Sequence, residues 1–500
     1  MVASDERSNH LAPFYLTLPP MNNDKYEAVI GLEVHVQLLT KSKLFCGDST
    51  AFGAAPNSHI SPITLAHPGT LPMMNKKAIE YAVKLGLALN CQIEQQNYFA
   101  RKNYFYPDLP KGYQVSQHST PICKGGGVPI SINGNKRTVQ LNRIHLEEDA
   151  GKSLHDVDTL NTSIDLNRAG VPLLEVVTEP DLFSSDEAFT YVTELRKLVR
   201  WLEICDGNME EGSMRCDANV SIRPKGETKL GTKVEVKNLN SIRNVKRAID
   251  IEIERMIEVV EAGGSIIQET RSYDADNNTT FSMRTKEEAD DYRYFADPDL
   301  TPFHLTDTYV AAIKAALPAL PETLEKKYQE QYHLPAYDAH VICSDKALVQ
   351  YFEAIIAQTA NYKAAANWLM GPIKSQLNET GVEITQFAVP PSSIAALVQL
   401  VDEGKLGFSI ASGRILQELI KSPAAKPLEL ATTLNLLQES DSSSIATWVD
   451  EVIAKMPDKV NEYKKGKKGL IGLFAGEVKK LSKGKADMQQ VNKLLAEKLN

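Results

Sequence analysis

Ile30-Gly31-Leu32-Glu33-Val34-His35-Val36-Gln37-Leu38 alternates without a break: Leu32, Val34, Val36 and Leu38 share one side, Glu33, His35 and Gln37 the other. A period of two sends successive side chains to opposite faces of a β-strand, so the run Tyr26–Leu39 reads as a half-buried strand. Met214–Arg223 repeats the pattern, with Met214, Cys216, Ala218, Val220 and Ile222 opposed to Arg215, Asp217, Asn219, Ser221 and Arg223. Lys233, Glu235 and Lys237 alternate with Val234 and Val236 in a third strand. Clean alternation favours antiparallel strands with one face on a core and the other outward.

Two helices belong to the same half of the chain. Ser184 with Glu187 makes a capping box, followed by an apolar stripe of Phe189, Val192, Leu195, Leu198 and Leu202. Ile242, Val245, Ile249, Ile253, Met256 and Val260 recur at three- and four-residue steps, and Gly263-Gly264 supplies a stop. Helices of this kind cover the apolar face of a sheet, so the expected class is α+β rather than a doubly wound parallel fold. After Pro298-Asp299 the pattern turns almost wholly helical, with a break at Val389-Pro390-Pro391-Ser392-Ser393. The expected division is an extension at 1–24, an α+β domain at 25–300, a helical domain at 301–400 and a helical tail at 401–500.

Composition narrows the class. Apolar residues at 43% and charged residues at 24% describe a soluble globular chain. No apolar run approaches the ~20 residues that span a bilayer. Residues 1–24 carry Asp5, Glu6 and Asp24 and no long apolar stretch, which fits a disordered extension and neither a secretory signal nor an acid-poor transit peptide. Six scattered cysteines form no CxxC pair, so a reducing cytoplasm is expected. The net charge of −9 is unevenly placed. Glu451–Asn500 holds 12 Lys against 6 Asp and Glu, a +6 tail that leaves −15 on the rest. Such a tail suits either a solvated helix face or contact with a polyanion.

The polar faces of the three strands are the candidate chemistry. Glu33, His35, Arg215, Asp217, Asn219, Lys233, Glu235 and Lys237 offer oxygen and imidazole ligands for Mg²⁺, with basic groups suited to phosphate. The same residues also fit a salt-bridged exposed face. Strand adjacency, which decides between these readings, is not written in the sequence. Glu147-Glu148-Asp149 places three acids in succession, a cluster that needs solvent, a cation or basic neighbours. Glu175 lies in the apolar run Leu173-Leu174-Glu175-Val176-Val177, where a carboxylate must be protonated, bound to a metal or paired, Arg168 being the partner at hand. His145 and His155, taken singly, read as ordinary histidines. Ala150-Gly151-Lys152-Ser153 imitates the end of a P-loop, but Leu146 stands where that motif needs glycine. Aromatic and basic residues interleave in Arg101-Lys102-Asn103-Tyr104-Phe105-Tyr106-Pro107-Asp108, and Asp290-Asp291-Tyr292-Arg293-Tyr294-Phe295 is similar. Rings beside cations are what a splayed RNA end requires, and equally describe a loop packed on a core.

Several of these segments, in this order, closely resemble the B subunit of the aspartyl/glutamyl-tRNA amidotransferases. They are Ile30–His35, Arg101–Asp108, Leu146–Lys152, Asp165–Arg168, Glu210–Asn219, Lys237–Ser241, Gln268–Arg271 and Asp290–Phe295. The segment around Gly469-Leu470-Ile471-Gly472 resembles the YqeY-type tail of that family. The resemblance implies a glutamine-synthetase-like catalytic cradle, an all-α domain and a tail that touches tRNA. It implies a carbon–nitrogen ligase reaction on mischarged Glu-tRNA(Gln) or Asp-tRNA(Asn). ATP phosphorylates the side-chain carboxylate, and ammonia displaces the phosphate.

Carried over position by position, the family match makes Glu33, His35, Glu148 and Glu175 the Mg²⁺-binding catalytic set. It makes Asp217 and Asn219 nucleotide or second-metal contacts, with Lys102 and Tyr106 facing the phosphates or the acceptor end. Periodicity does not choose between Glu147 and Glu148; only the resemblance does. Many family members hold zinc with a C-x-C and a later C-x-x-C. Here Cys46 stands with Asp48, Ser61 and Thr64 in the other places, so no zinc is expected. The chain shows no glutaminase motif, so ammonia must come from a partner: the resemblance implies an amidase subunit and a small third subunit in a heterotrimer. Three rivals are separable. A free carboxylate–amine ligase would be insensitive to RNase, a non-catalytic tRNA adaptor would tolerate loss of Glu33 and His35, and an archaeal glutamate-specific relative would carry a large inserted domain. Which of the two mischarged tRNAs is the substrate stays open.

Overall fold

The computed structural model describes residues 25–154, 157–158, 160–285, 292–438, 442–482 and 484–499. The extension expected at 1–24 lies outside them, as do His155, Asp290 and Asp291. The chain forms two compact units that divide between Pro318 and Ala319.

A thirteen-stranded sheet dominates the first unit. Its continuous path uses β1 (Tyr26–Gln37), β2 (Ala100–Asn103), β3 (Tyr113–Ser116), β4 (Asn135–Glu148) and β5 (Pro172–Thr178). It continues with β6 (Met214–Pro224), β7 (Val234–Leu239), β8 (Glu269–Asp274), β9 (Thr279–Thr285) and β10 (Phe295–Ala296). The spatial order is β9-β8-β7-β6-β1-β5-β4-β3-β2-β10. The first strand of the sequence is therefore central, antiparallel to β6 from Tyr26 opposite Pro224 through Val36 opposite Met214, and antiparallel to β5 on its other side. Ile30, Leu32, Val34 and Val36 are at most 1% exposed, which places the apolar half of the opening pattern on the core.

Helices cover the apolar face, as their stripes require. α1 (Lys76–Ala88) packs on β4, α2 (Ser185–Trp201) on β1, and α3 (Ile242–Glu261) on β6. The sheet is not antiparallel throughout, because β7 and β8 run parallel. A parallel pair needs a crossover, and α3, lying between the two strands in sequence, supplies it. In α2 the buried stripe is Ala188, Val192, Leu195, Val199 and Leu202, while Phe189 is 40% exposed. The core takes Tyr191 instead of Phe189, a shift along the helix face that apolar counting misses. Pro298-Asp299 does not end the unit, because α4 (Asp307–Ala315) packs back on α1.

The second unit is helical. Its last part has a core of its own: α5 (Ser442–Lys455), α6 (Ile471–Leu481) and α7 (Met488–Leu499) bury Ile445, Val449, Tyr463, Phe474, Val478, Val491 and Leu495 together. Lys464, Lys465, Lys467 and Lys468 lie exposed before α6. No described helix is long and apolar enough to cross a membrane.

The N-terminus of α2 shows how local sequence fixes an element. Ser184 is extended, and its Oγ accepts the Glu187 N–H at 3.2 Å. Glu187 Oε2 reaches back to the Phe183 N–H at 2.7 Å and pairs with Arg137 at 2.8 Å. Replacing such a cap by alanine costs about 1 kcal/mol. Ser184→Ala is expected to lower the melting temperature of the first unit, read by circular dichroism, while Ser184→Asp leaves it near the parent value; equal midpoints for Ala and Asp would disprove the capping role.

Candidate active site

Pleat and register build the site. His35 on β1 stands opposite Glu175 on β5 and Arg215 on β6, and Glu175 stands opposite His145 on β4. Arg215, His35, Glu175 and His145 thus form one row across four strands. Directly opposed side chains sit ~4.5–5.5 Å apart at Cβ, close enough to share an ion. One step along, Glu147 projects from the same face of β4 as His145, because two residues separate them.

His35, Glu147 and Glu175 bring one ligand atom each within 4.8 Å of one another. His35 Nε2 lies 3.7 Å from Glu147 Oε1 and 3.6 Å from Glu175 Oε2. His145 Nε2 joins them, at 3.6 Å from Glu147 Oε2 and 3.3 Å from Glu175 Oε2. Burial works to depress the His145 pKa, but the two carboxylates outweigh it and lift it to about 9. His35 is raised by the same contest. Burial would raise the Glu175 pKa, yet His145 and His35 hold it well below the usual carboxylate range. The upward shifts of the two imidazoles and the downward shift of Glu175 have one cause, the close approach of imidazole and carboxylate in a dry setting.

The residues present fit a divalent cation. Two carboxylates and an imidazole offer three ligand atoms, which leaves positions for water or phosphate oxygen. Among the described residues, four polar atoms around this face are buried without a hydrogen-bond partner: Arg143 Nε, His145 Nδ1, Arg215 Nε and Asn219 Oδ1. Buried polar atoms are normally satisfied, so a cluster of unsatisfied ones marks a surface shaped for a polar ligand.

The expected site residues divide between this cluster and its surroundings. Glu33 is on the same face, two residues from His35, and accepts Asn219 Nδ2 at 2.9 Å. Asp217, opposite Glu33, holds Lys237 Nζ at 2.5 Å, and Lys237 also meets Glu235 at 3.3 Å. Burial alone would lower the Lys237 pKa; Asp217 and Glu235 turn the net shift upward. Lys233 is exposed ahead of β7 and takes no part in the face.

Lys102, on β2, is drawn to the cluster: burial would lower its pKa, but Glu147, Tyr294 and Glu175 hold it above normal. Its ammonium lies 4.8 Å from the centre of the Tyr292 ring. Tyr106 is 50% exposed and meets Tyr104 edge-on.

Glu148 is not beside His35 and Glu175. One residue past Glu147, it points to the opposite face, where Lys111 pairs with its carboxylate and the Val115 N–H donates to it at 2.9 Å. It lines a small cavity with Lys43, Thr64, Lys111 and Gly170. Glu147, not Glu148, stands on the face of His35 and Glu175, as the parity of β4 and its register against β5 require. Glu175 does not pair with Arg168 either. Arg168 donates to the Ala150 and Gly151 carbonyls at 3.0 and 2.6 Å and lies 3.8 Å from Asp149. His145, set aside on sequence grounds, is a full member of the cluster. Its signal was the two-residue spacing to Glu147 on a strand whose partner carries Glu175.

The positions of the altered cysteine pattern show their own arrangement. Thr64 Oγ1 donates to Asp48 Oδ2 at 2.5 Å and lies 3.5 Å from Cys46 Sγ. Burial pushes the Cys46 thiol upward.

Known proteins match the chain over most of its length. Residues 28–311 match the GatB/GatE catalytic domain and residues 350–499 match the GatB domain. The chain is 50% identical over 479 residues to the B subunit of the aspartyl/glutamyl-tRNA(Asn/Gln) amidotransferase of Geotalea uraniireducens, covering 95% of this chain and 100% of that one. It is 48% identical over 481 residues to the corresponding protein of Alkalilimnicola ehrlichii, with coverage of 95% and 100%. For Geobacter sulfurreducens the identity is 49% over 477 residues, covering 95% and 99%.

Asp149 locks β4 to the centre of the sheet. Its Oδ2 accepts Arg215 Nη2 at 2.8 Å and Gln37 Nε2 at 2.6 Å. Burial would raise its pKa, but Arg215 and Arg168 hold it below the ordinary value. A carboxylate depressed in the folded state contributes stability above its unfolded pKa of about 3.9, and that contribution fades as pH falls through the folded value. Asp149→Asn should therefore melt lower than the parent at pH 7, with the gap narrowing below about pH 4. A gap that stays constant into acid, measured by scanning calorimetry across pH, would refute this.

Proposed function

The chain belongs to the family of aspartyl/glutamyl-tRNA amidotransferase B subunits, and from that premise we propose that its sheet face runs the ATP-dependent half of tRNA transamidation. The substrate is Glu-tRNA(Gln), Asp-tRNA(Asn) or both. The γ-phosphoryl of ATP passes to a side-chain carboxylate oxygen, giving an acyl phosphate and ADP. Ammonia then attacks the acyl carbon, the C–O bond to phosphate breaks, and phosphate leaves with the electron pair as the amide forms. Activation is needed because an oxide ion is too poor a leaving group for direct amidation. A glutamine-synthetase-like cradle, which the sequence resemblance implies, would suit this chemistry, since that fold serves the same kind of ligation.

The observation that carries the reading is the convergence of His35, Glu147 and Glu175 within 4.8 Å, with His145 alongside. His35, Glu147 and Glu175 would hold Mg²⁺, with His145 and Glu33 at its margin. Mg²⁺ bound there would neutralise phosphate oxygens, and phosphoryl transfer is catalysed mainly by positioning and positive charge. The protein adds fixed charge of its own. Lys102 and Lys237 present ammonium groups at either side of the acidic face, suited to the β- and γ-phosphates. Asn219 orients Glu33 through its 2.9 Å hydrogen bond, and Asp217 orients Lys237.

Glutamine hydrolysis belongs elsewhere. The relatives are named as one subunit of an amidotransferase, which supports assembly with others. We assign ammonia supply to an amidase subunit and clamping of the pair to a small third subunit. The basic segment at Lys464–Lys468 suits the phosphates of tRNA.

In the assembled complex, Glu33→Ala or His35→Ala is expected to lower ATP-dependent amidation on the order of 10²-fold or more, through lost stabilisation of the transferring phosphoryl. A near-parental rate in either variant would remove those residues from the mechanism. Glu147 and Glu148 give a sharper contrast. Glu147→Gln should raise the Mg²⁺ concentration needed for half-maximal rate, while Glu148→Gln leaves that concentration unchanged whatever it does to the rate. Unaltered Mg²⁺ dependence in Glu147→Gln would return the metal role to another carboxylate. Finally, the purified chain without partners should amidate with ammonium but not with glutamine. Glutamine use by the chain alone would show a glutaminase within it.

A further inference from the structure

Next to the acidic cluster lies an arc of rings that the phosphoryl chemistry does not use. Tyr106 and Tyr104 meet edge-on at 5.9 Å, Tyr104 and Tyr292 at 6.1 Å, and Tyr292 and Tyr294 at 6.1 Å. The arc ends in a parallel stack: the His118 and Tyr294 rings are 4.0 Å apart with an interplanar angle of 11°. Rings that serve the core of this unit are closed off, with Phe99 and Tyr273 each 1% exposed. The arc is open by contrast. His118 is exposed, Tyr106 is half exposed, and Tyr104, Tyr292 and Tyr294 are only partly covered.

The backbone that presents these rings is held in an unusual form. Arg293, between Tyr292 and Tyr294, has φ +46°, a left-handed conformation that non-glycine residues seldom adopt. Such strain persists only where surroundings over-determine it, and it concentrates at ligand clamps. Here Asn103 Nδ2 donates to the Tyr292 and Arg293 carbonyls at 3.0 and 2.9 Å. Just beyond, Phe295 and Ala296 pair with β2, and Arg101 grips Asp297 and Asp299 at 3.0 and 2.8 Å. The loop is tied to the strand that carries Lys102.

Charge completes the picture. Lys102 lies between the rings and the carboxylates, 4.8 Å from the Tyr292 centroid and 5.8 Å from that of Tyr104. Burial, with Arg143, His145 and Lys102 nearby, lowers the His118 pKa, which favours the neutral ring. A neutral imidazole on a tyrosine, with a cation at the phosphate side, is the composition of a base-stacking platform.

We propose that His118 and Tyr294, flanked by Tyr104 and Tyr292, form the seat of an adenine base, and that Lys102 joins this seat to the acidic cluster. The inference rests on the function proposed above, since that reaction brings two adenines to the site. One belongs to ATP, the other to the 3′-terminal adenosine of the aminoacylated RNA. Both have the same stacking chemistry.

The test uses 2-aminopurine, whose fluorescence is quenched on stacking, placed either at the 3′ end of the tRNA or as the ribonucleoside triphosphate. Each probe is titrated into the assembled complex carrying the parent chain, Tyr294→Leu, Tyr294→Phe or His118→Leu. Quenching by the parent with one probe is expected, and that probe identifies the occupant. Tyr294→Leu and His118→Leu should each weaken that binding on the order of 10-fold, and Tyr294→Phe, which keeps the ring, by no more than about twofold. No quenching with either probe, or undiminished quenching in both Leu variants, would overturn the seat. His118 is exposed, so its Leu variant gives a reading even should Tyr294→Leu fail to fold. Glu33→Ala, run alongside, separates the two proposals. Quenching without amidation in Glu33→Ala leaves both standing, whereas a parent complex that quenches yet never amidates with ATP would sink the function and spare the seat.

Discussion

Two carboxylates buried side by side repel each other, and the first unit is organised around that fact. Glu147 and Glu175 stand on neighbouring strands in the middle of the sheet path, where little water reaches them and an unpaired charge is costly. Isolated burial would cost several kcal/mol for each. The structure answers with positive charge from several sides: His35 and His145 within 3.3–3.7 Å, and Lys102 near enough to have its own pKa raised by them. Because metal ligation needs neutral imidazole and ionised carboxylate, a dication bound among these groups would compete with protons for the same atoms. On the function we propose, structural tolerance and metal affinity would be two consequences of one electrostatic constraint.

The sheet satisfies this constraint by register. Opposed positions on β6, β1, β5 and β4 bring Arg215, His35, Glu175 and His145 into line, and none of the four is close to another in sequence. A slip of one residue on any strand would send its polar member into the core and an apolar one into the site. The Asp149 contacts to Arg215 and Gln37 guard against such a slip, because they tie the end of β4 to β6 and β1. Glu252 plays the corresponding part under the other edge. It is fully buried in α3, where Thr280 donates to it at 2.9 Å and Arg255 and Arg271 pair with it, which seats the β8–β9 hairpin.

Much of this architecture was legible because it depends on local periodicity. The alternation in Ile30–Leu38 and Met214–Arg223 declared two central strands and their polar faces, and Ser184 with Glu187 declared the start of α2. What periodicity lacks is the partner. The β7–β8 parallel pair follows from the crossover by α3, and no residue of either strand announces it. Glu147 against Glu148 is the clearest case. Each is acidic, and β4 alternates poorly near its end, where Ile144, His145, Leu146, Glu147 and Glu148 are all buried. Buried on both faces, the strand gives no polar–apolar contrast, so only its register against Glu175 reveals which carboxylate turns toward His35. His145 escaped notice for the same reason: a histidine looks ordinary until its cross-strand neighbour is known.

The two sides of the site differ in how they are held, and the difference suits the chemistry. Phosphoryl transfer needs its charges placed to within a fraction of an ångström, and the acidic set stands on central strands whose backbone is hydrogen-bonded on both sides. The aromatic arc stands instead on loops that flank β2, β3 and β10, one of them tied by Asn103 and Arg101. A base can shift by more than that on a ring face and still stack, since stacking is broad in its geometry where ion coordination is not. On the function we propose, the exacting half of the reaction would sit at the sheet's centre and the tolerant half toward its edge, so that a large ligand could approach from the edge without disturbing the register on which the charges depend.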